Sequence, residues 1–268
     1  MTSLTRQAAV AGRFYPAEAT PLKQMINTFL GRCASQMDDP KLKSSPTKVI
    51  IVPHAGYIYS GQVAASAFAL LAPRREQIKR VVLLGPAHRV HLKGCALPSS
   101  ESFETPLGQQ LIDKDALRQL SEHSKVLISD LPHNEEHCLE VELPFLQLCL
   151  DKFELIPLLV GDISPHAMAS ILEQVWGGDE TLIVVSSDLS HYHSYQEAAE
   201  LDRETCKQII NHNSALTPEQ ACGSRALNAI AIQAEYHKLQ THQLSYQNSG
   251  DTSGNRGRVV GYASFALY

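Results

Sequence analysis

Three short runs of β-branched and aliphatic residues end in segments that carry imidazoles. Lys48–Val52 (KVIIV) runs into Pro53-His54-Ala55-Gly56-Tyr57, and Arg80–Leu84 (RVVLL) into Gly85-Pro86-Ala87-His88. Thr181–Val185 (TLIVV) runs into Ser186-Ser187-Asp188-Leu189-Ser190-His191-Tyr192-His193. Runs of this kind read as buried strands, and in open α/β sheets ligands bind in the crevice beyond the strands' carboxyl ends. His54, His88 and His191, with Asp188, are therefore expected to converge on one sheet edge; the alternative is three separate exposed loop histidines. Neutral imidazole ligates Fe, Zn, Cu and Ni, a nearby carboxylate favours harder ions, and imidazole also transfers protons near neutral pH. His54 and His88 follow their strands closely, as rigidly held metal ligands must. Asp188 and His191 sit on a longer Ser-rich loop and suit an acid–base pair or groups that orient the metal ligands from behind.

Other motifs carry less. The segment His54–Gly61 lacks the Lys of GxxxxGK(S/T), and GxGxxG is absent, so no phosphate loop is expected. His133-Asn134-Glu135-Glu136-His137 matches the inverted zinc-protease pattern HxxEH, which needs one continuous helix to present both imidazoles on one face. Pro132 and Pro144 punctuate this region and the apolar helical pattern begins only at Leu139. Glu136-His137 is thus expected beside the cleft and outside any protease helix, with Glu140 and Glu142 as neighbours. His137 joins Asp188 and His191 as a candidate catalytic group; the competing reading is the charged first turn of a helix. The six cysteines form no CxxC pair. Cys138, Cys149 and Cys206 fall on or beside apolar helical runs and read as small buried hydrophobes, while Cys222-Gly223 opens a helix, where a thiol pKa can be lowered.

The elements that position these residues follow from periodicity. Leu22, Met25, Ile26, Phe29 and Leu30 recur at helical spacing and predict a helix over Pro21–Cys33. The polar stretch Ser35–Thr47 reads as a surface connection. Further helices are predicted over Gln62–Leu71, Asp115–Glu122, Leu139–Leu150, Pro165–Val175, Gln196–Asn211 and Ala226–Leu239. Glu154–Val160 (ELIPLLV) reads as a strand despite Pro157, and Gln243–Asn248 with Arg258–Leu267 as a closing antiparallel pair. Strand, helix, strand at this spacing is a βαβ unit, so a partly parallel sheet is expected.

Composition narrows the function classes. The chain has 268 residues, of which 44% are hydrophobic and 19% charged, an ordinary globular balance that excludes disorder and coiled coil as overall descriptions; its 12 histidines are the unusual feature. A net charge of −5 gives no broad basic field for nucleic acid or anionic lipid. No apolar run approaches the roughly 18 residues of a membrane helix, and Met1–Gly12 shows no apolar core of a secretory signal. A cytoplasmic protein with reduced thiols, and no nucleic-acid or membrane partner, is expected.

Taken in order, the motifs resemble those of the Memo-like family, also described as AmmeMemoRadiSam system protein B. The matching pieces are Arg13-Phe14-Tyr15-Pro16, Pro53-His54-Ala55-Gly56-Tyr57 with Ser60-Gly61, Gly85-Pro86-Ala87-His88, and Thr105-Pro106-Leu107-Gly108. They continue with Glu136-His137-Cys138-Leu139-Glu140, Leu143-Pro144-Phe145, Ser186-Ser187-Asp188-Leu189-Ser190-His191, Ala221-Cys222-Gly223, Asn248-Ser249-Gly250-Asp251 and Val259-Val260-Gly261-Tyr262-Ala263. The resemblance implies a single α/β domain over residues 1–268, with a central mixed, largely parallel sheet flanked by helices, like the class III extradiol dioxygenases. It implies His54 and His88 as metal ligands, and Asp188 and His191 as pocket residues with His191 an acid–base group. Animal members are understood to place a Cys in the segment corresponding to Tyr246–Asp251; here no Cys follows Cys222, and Asp251 is the nearest carboxylate. Two imidazoles with Asp251 would favour Fe(II), with copper or zinc as alternatives. The competing reading of Asp251 is a turn former at Gly250–Gly254. The activity implied is dioxygenase-like redox chemistry at a non-haem iron or copper site, on a small aromatic or phenolic substrate. The alternative is a non-catalytic binding or metal-handling module using the same cleft for a peptide, metabolite or protein partner. By family association, a radical-SAM protein and its small companion are expected partners.

Overall fold

Strands whose two faces are both covered need near-continuous apolar runs, and VIIV, RVVLLGP, ELIPLLV and TLIVVS supply them, with polar side chains only at their ends. They form the centre of the sheet. The structure, a computed structural model, describes residues 5–33 and 46–268; most of the expected connection over Ser35–Thr47 lies outside the described residues. In chain order, β1 (Thr5–Arg6) and α1 (Ala19–Cys33) lead into β2 (Val49–Val52), α2 (Tyr57–Phe68) and β3 (Arg80–Pro86). Next come β4 (Cys95–Leu97), β5 (Ser102–Thr105), β6 (Gly108–Leu111), α3 (Lys114–Ser121) and β7 (Val126–Ile128). Two short helices, α4 (Leu131–Asn134) and α5 (Leu143–Cys149), precede β8 (Glu154–Val160). Then follow α6 (Pro165–Gln174), β9 (Thr181–Ser186), β10 (His191–His193) and α7 (Tyr195–Ile210). The order closes with α8 (Ser224–His237), β11 (Thr241–Asn248), α9 (Ser249–Ser253) and β12 (Val259–Leu267).

Among the described residues, the main sheet runs β10-β12-β2-β9-β3-β8-β4-β7, with β11 also paired to β12. The central ladders β2–β9, β9–β3 and β3–β8 are parallel, with Ile51 opposite Val185 and Leu84 opposite both Val185 and Leu158. The tail pair β11–β12 is antiparallel and docks on β2, also antiparallel. The sheet is thus mixed with a parallel centre, as expected. A smaller sheet, β1-β5-β6, has its own ladders and meets the main one beside β8, where Gln110 donates to the Phe153 carbonyl.

Three local differences have physical causes. Pro157 is tolerated because Leu155 accepts from the Asp113 amide and Leu159 pairs with Ala96 on the same side of β8. By strand alternation Pro157 faces that side too, between these two contacts, where no ladder asks for its missing N–H. The helix predicted over Leu139–Leu150 splits into a 3₁₀ turn at Glu140–Glu142 and then α5, whose Pro144 sits in the first turn, where proline is accepted. The short strands β4 to β7 and β10 lack the apolar alternation that sequence reading depends on.

Candidate functional site

Because β2, β9 and β3 are parallel neighbours, their carboxyl ends lie on one edge, and each delivers a side chain two residues later: His54, Asp188 and His88. The ring centroids of His54 and His88 are 5.2 Å apart, and His137 completes a triangle at 5.3 and 5.0 Å from them. A cleft of about 470 Å³ includes these three histidines, Asp188 and His191 in its lining. Phe14, Tyr59, Tyr192 and Tyr262 give the same cleft an aromatic wall.

Both histidines at strand ends are pinned through Nδ1. His54, buried, has Nδ1 2.7 Å from the Ser186 hydroxyl oxygen, and its backbone amide donates to Asp188 Oδ1 at 2.8 Å. His88 has Nδ1 2.9 Å from Glu136 Oε1, and its amide donates to Glu136 Oε2 at 2.6 Å. A proton held on Nδ1 leaves the Nε2 lone pair free for a metal, and a carboxylate behind a histidine is the usual way to set that tautomer. Glu136, buried beneath the cluster, also accepts from the His137 and Cys138 amides. Burial works to raise its pKa, but the bonds from His137 and His88 outweigh that and hold it well below the usual carboxylate range.

Facing the free side of His54 is Cys222, with Sγ 3.4 Å from His54 Nε2. His54, His88 and Cys222 each present one donor atom within 4.8 Å of the others. Asp188 Oδ2 lies 4.0 Å from His54 Nε2, and burial raises its pKa to about 7 against the opposing pull of the His54 amide. Burial likewise disfavours the charged form of His191 and lowers its pKa.

Each sequence-predicted residue can now be placed. His54, His88, His137, Asp188 and His191 meet in one cleft. Asp251 does not reach it: Oδ2 accepts from the Asn248 amide at 2.9 Å and Oδ1 from the Tyr195 hydroxyl at 2.7 Å. A carboxylate at the third position of α9 caps the helix it sits on, so the turn-forming reading replaces the ligand reading. His133 points away, with Nε2 donating to the Ala96 carbonyl at 3.0 Å, so HxxEH makes no zinc pair. The expected lowering at Cys222 is also corrected, because burial pushes its thiol up to about 12. Sequence reasoning missed Cys222 as a donor and Glu136 as the orienting carboxylate. Their available signals were Cys-Gly at a helix start and a Glu directly before His137.

A model of the Memo-like protein family matches residues 6–266. A MEMO1 family protein of Caldivirga maquilingensis is 32% identical over 281 residues, covering 99% of each chain. One from Aquifex aeolicus is 33% identical over 269 residues, covering 96% of this chain and 97% of its own. A solved structure, that of the uncharacterized protein JW3007 from Escherichia coli K12, matches with a TM-score of 0.50 at 12% identity over 82% of this chain and 99% of that one. At that identity the likeness is one of fold alone.

Proposed function

The chain belongs to the Memo-like family, and from that membership and its histidine cluster we propose a metal-dependent redox protein acting on a small substrate. His54, His88 and Cys222 would hold one transition-metal ion. The observation that carries this reading is the set of three donor atoms within 4.8 Å, two of them on imidazoles already pinned through Nδ1. The donor chemistry fits such an ion: two neutral nitrogens and one sulfur, on segments held by a buried sheet edge. With Asp251 engaged elsewhere and a sulfur in its place, copper ranks ahead of the iron that a carboxylate would favour. The ion would supply one-electron chemistry and Lewis acidity. Asp188, with a pKa raised to about 7, and His191, its pKa lowered by burial, stand in the cleft to hold or move a proton of the substrate. The aromatic wall of Phe14, Tyr59 and Tyr192 suits a flat, aromatic substrate.

Anaerobic titration with Cu(I) and Fe(II) tests the reading. His54→Ala, His88→Ala and Cys222→Ala should each weaken binding by about ten-fold or more, with Asp251→Ala unchanged. Stoichiometric metal lost in both histidine variants but kept in Cys222→Ala removes the sulfur from the set. Absence of tight metal in the unmodified protein overturns the redox reading and leaves a non-catalytic binding module.

A further inference from the structure

The cluster has a second open side. Besides the aromatic cleft, a cavity of about 400 Å³ lies between the end of β3 and the start of α8, with His88 and Cys222 in its lining. Its other wall is the first turn of α8, a helix of 14 residues whose opening residues Ser224, Arg225 and Ala226 all line the cavity. A helix N-terminus presents amides without carbonyl partners and a partial positive charge. The Ser224 amide is engaged by Ala221 and that of Leu227 by Gly223, while Arg225 and Ala226 occupy the intervening positions.

A second observation at this place calls for a ligand. The Ser224 hydroxyl has no hydrogen-bond partner among the described residues, although Ser224 is only 1% exposed. An unpaired buried hydroxyl is destabilising, and a bound acceptor would offset that. Arg225 adds a cation: its half-exposed guanidinium pairs with the more exposed Asp162 at 2.8 Å, a surface pair worth little. Arg225 and Asp162 also line an adjoining cavity of about 720 Å³, whose other charged residues are Lys93 and Lys125. Across the two cavities one carboxylate thus faces three cations, with Arg225 and Asp162 shared between them.

The geometry points to an oxyanion subsite: the first turn of α8, with the Ser224 hydroxyl and the Arg225 guanidinium, binds the carboxylate or phosphoryl end of the substrate. The rest of that molecule then extends past Cys222 to His88, which lines the aromatic cleft as well. That the bound molecule is the substrate rests on the metal reading above; the binding of the oxyanion does not.

Calorimetric titration of chelator-treated, metal-free protein with benzoate and with inorganic phosphate separates the two. Saturable binding is expected, weakened about ten-fold or more in Arg225→Gln and by a smaller factor in Ser224→Ala. Amide shifts at Arg225 and Ala226 should report it. Saturation by benzoate identifies a carboxylate and saturation by phosphate a phosphoryl group. Saturation by neither, or equal affinity in the unmodified protein and Arg225→Gln, overturns the subsite. Because Arg225 is half exposed, its variant should fold. Metal affinity measured in the same preparations shows independently whether the metal reading stands.

Discussion

Glu136 illustrates how much one buried side chain can organise. It touches His88 through both ring and amide and lies beside His137, so two of the three clustered imidazoles depend on its charge. Glu136→Gln can keep the shape but turns one acceptor oxygen into a donor. His88 should then lose its fixed tautomer, and metal affinity should fall about 10–100-fold; titration of the variant, with the imidazole tautomer read by nitrogen NMR, checks this. His133, one turn earlier, tests a different property. Burial depresses it from 6.5 to about 4. The unfolded chain therefore binds the proton that the folded chain refuses between those values, and stability is lost as pH falls through that window. The loss should amount to about 3 kcal/mol. His133→Gln should flatten this part of the stability profile, measured by denaturant unfolding at steps from pH 7 to 4; an unchanged slope would show that His133 is not the titrating group.

At the scale of elements, the site depends on α8 starting hard against the end of β9. Gly223 makes that approach feasible, since a Cβ there would lie 2.6 Å from the Ser187 Cβ and 3.0 Å from the Ser186 carbonyl oxygen. The Gly223 amide also donates to the Ser187 hydroxyl at 2.9 Å. Gly223→Ala should push α8 outward, cost roughly 1–3 kcal/mol from overpacking, and carry Cys222 away from His54. Metal binding should weaken along with the unfolding midpoint, whereas a variant that loses stability but keeps full metal affinity would argue that Cys222 is not a ligand. The strands themselves were legible. KVIIV, RVVLL and TLIVV read as buried strands because burial on both faces demands continuous apolar residues, and their polar endings marked the ligand edge. Strands β4 to β7 were not legible, since short segments on the periphery of a sheet need no such pattern.

The whole molecule brings its N-terminal segment onto this edge. Glu140, fully buried, pairs with Arg6 and accepts from the Ala9 and Val10 amides and the Tyr15 hydroxyl. That set ties residues 6–15 down and presses Phe14 against His137, ring centroids 4.7 Å apart. Glu140→Gln leaves Arg6 buried without its counter-charge, which should cost about 3–5 kcal/mol and open residues 6–15 to proteolysis and hydrogen exchange; protection equal to the unmodified protein would refute this anchoring role. The sequence by itself determined the parallel strands, the imidazoles at their ends and the family, because periodicity and local motifs are properties of neighbouring residues. Only the tertiary structure decided which third donor meets the histidines. Cys222 reaches His54 across 168 residues of chain, whereas Asp251 is consumed by the helix it caps. Strand order and the angle at which α8 leaves the sheet settle such a meeting, and no spacing along the chain encodes either.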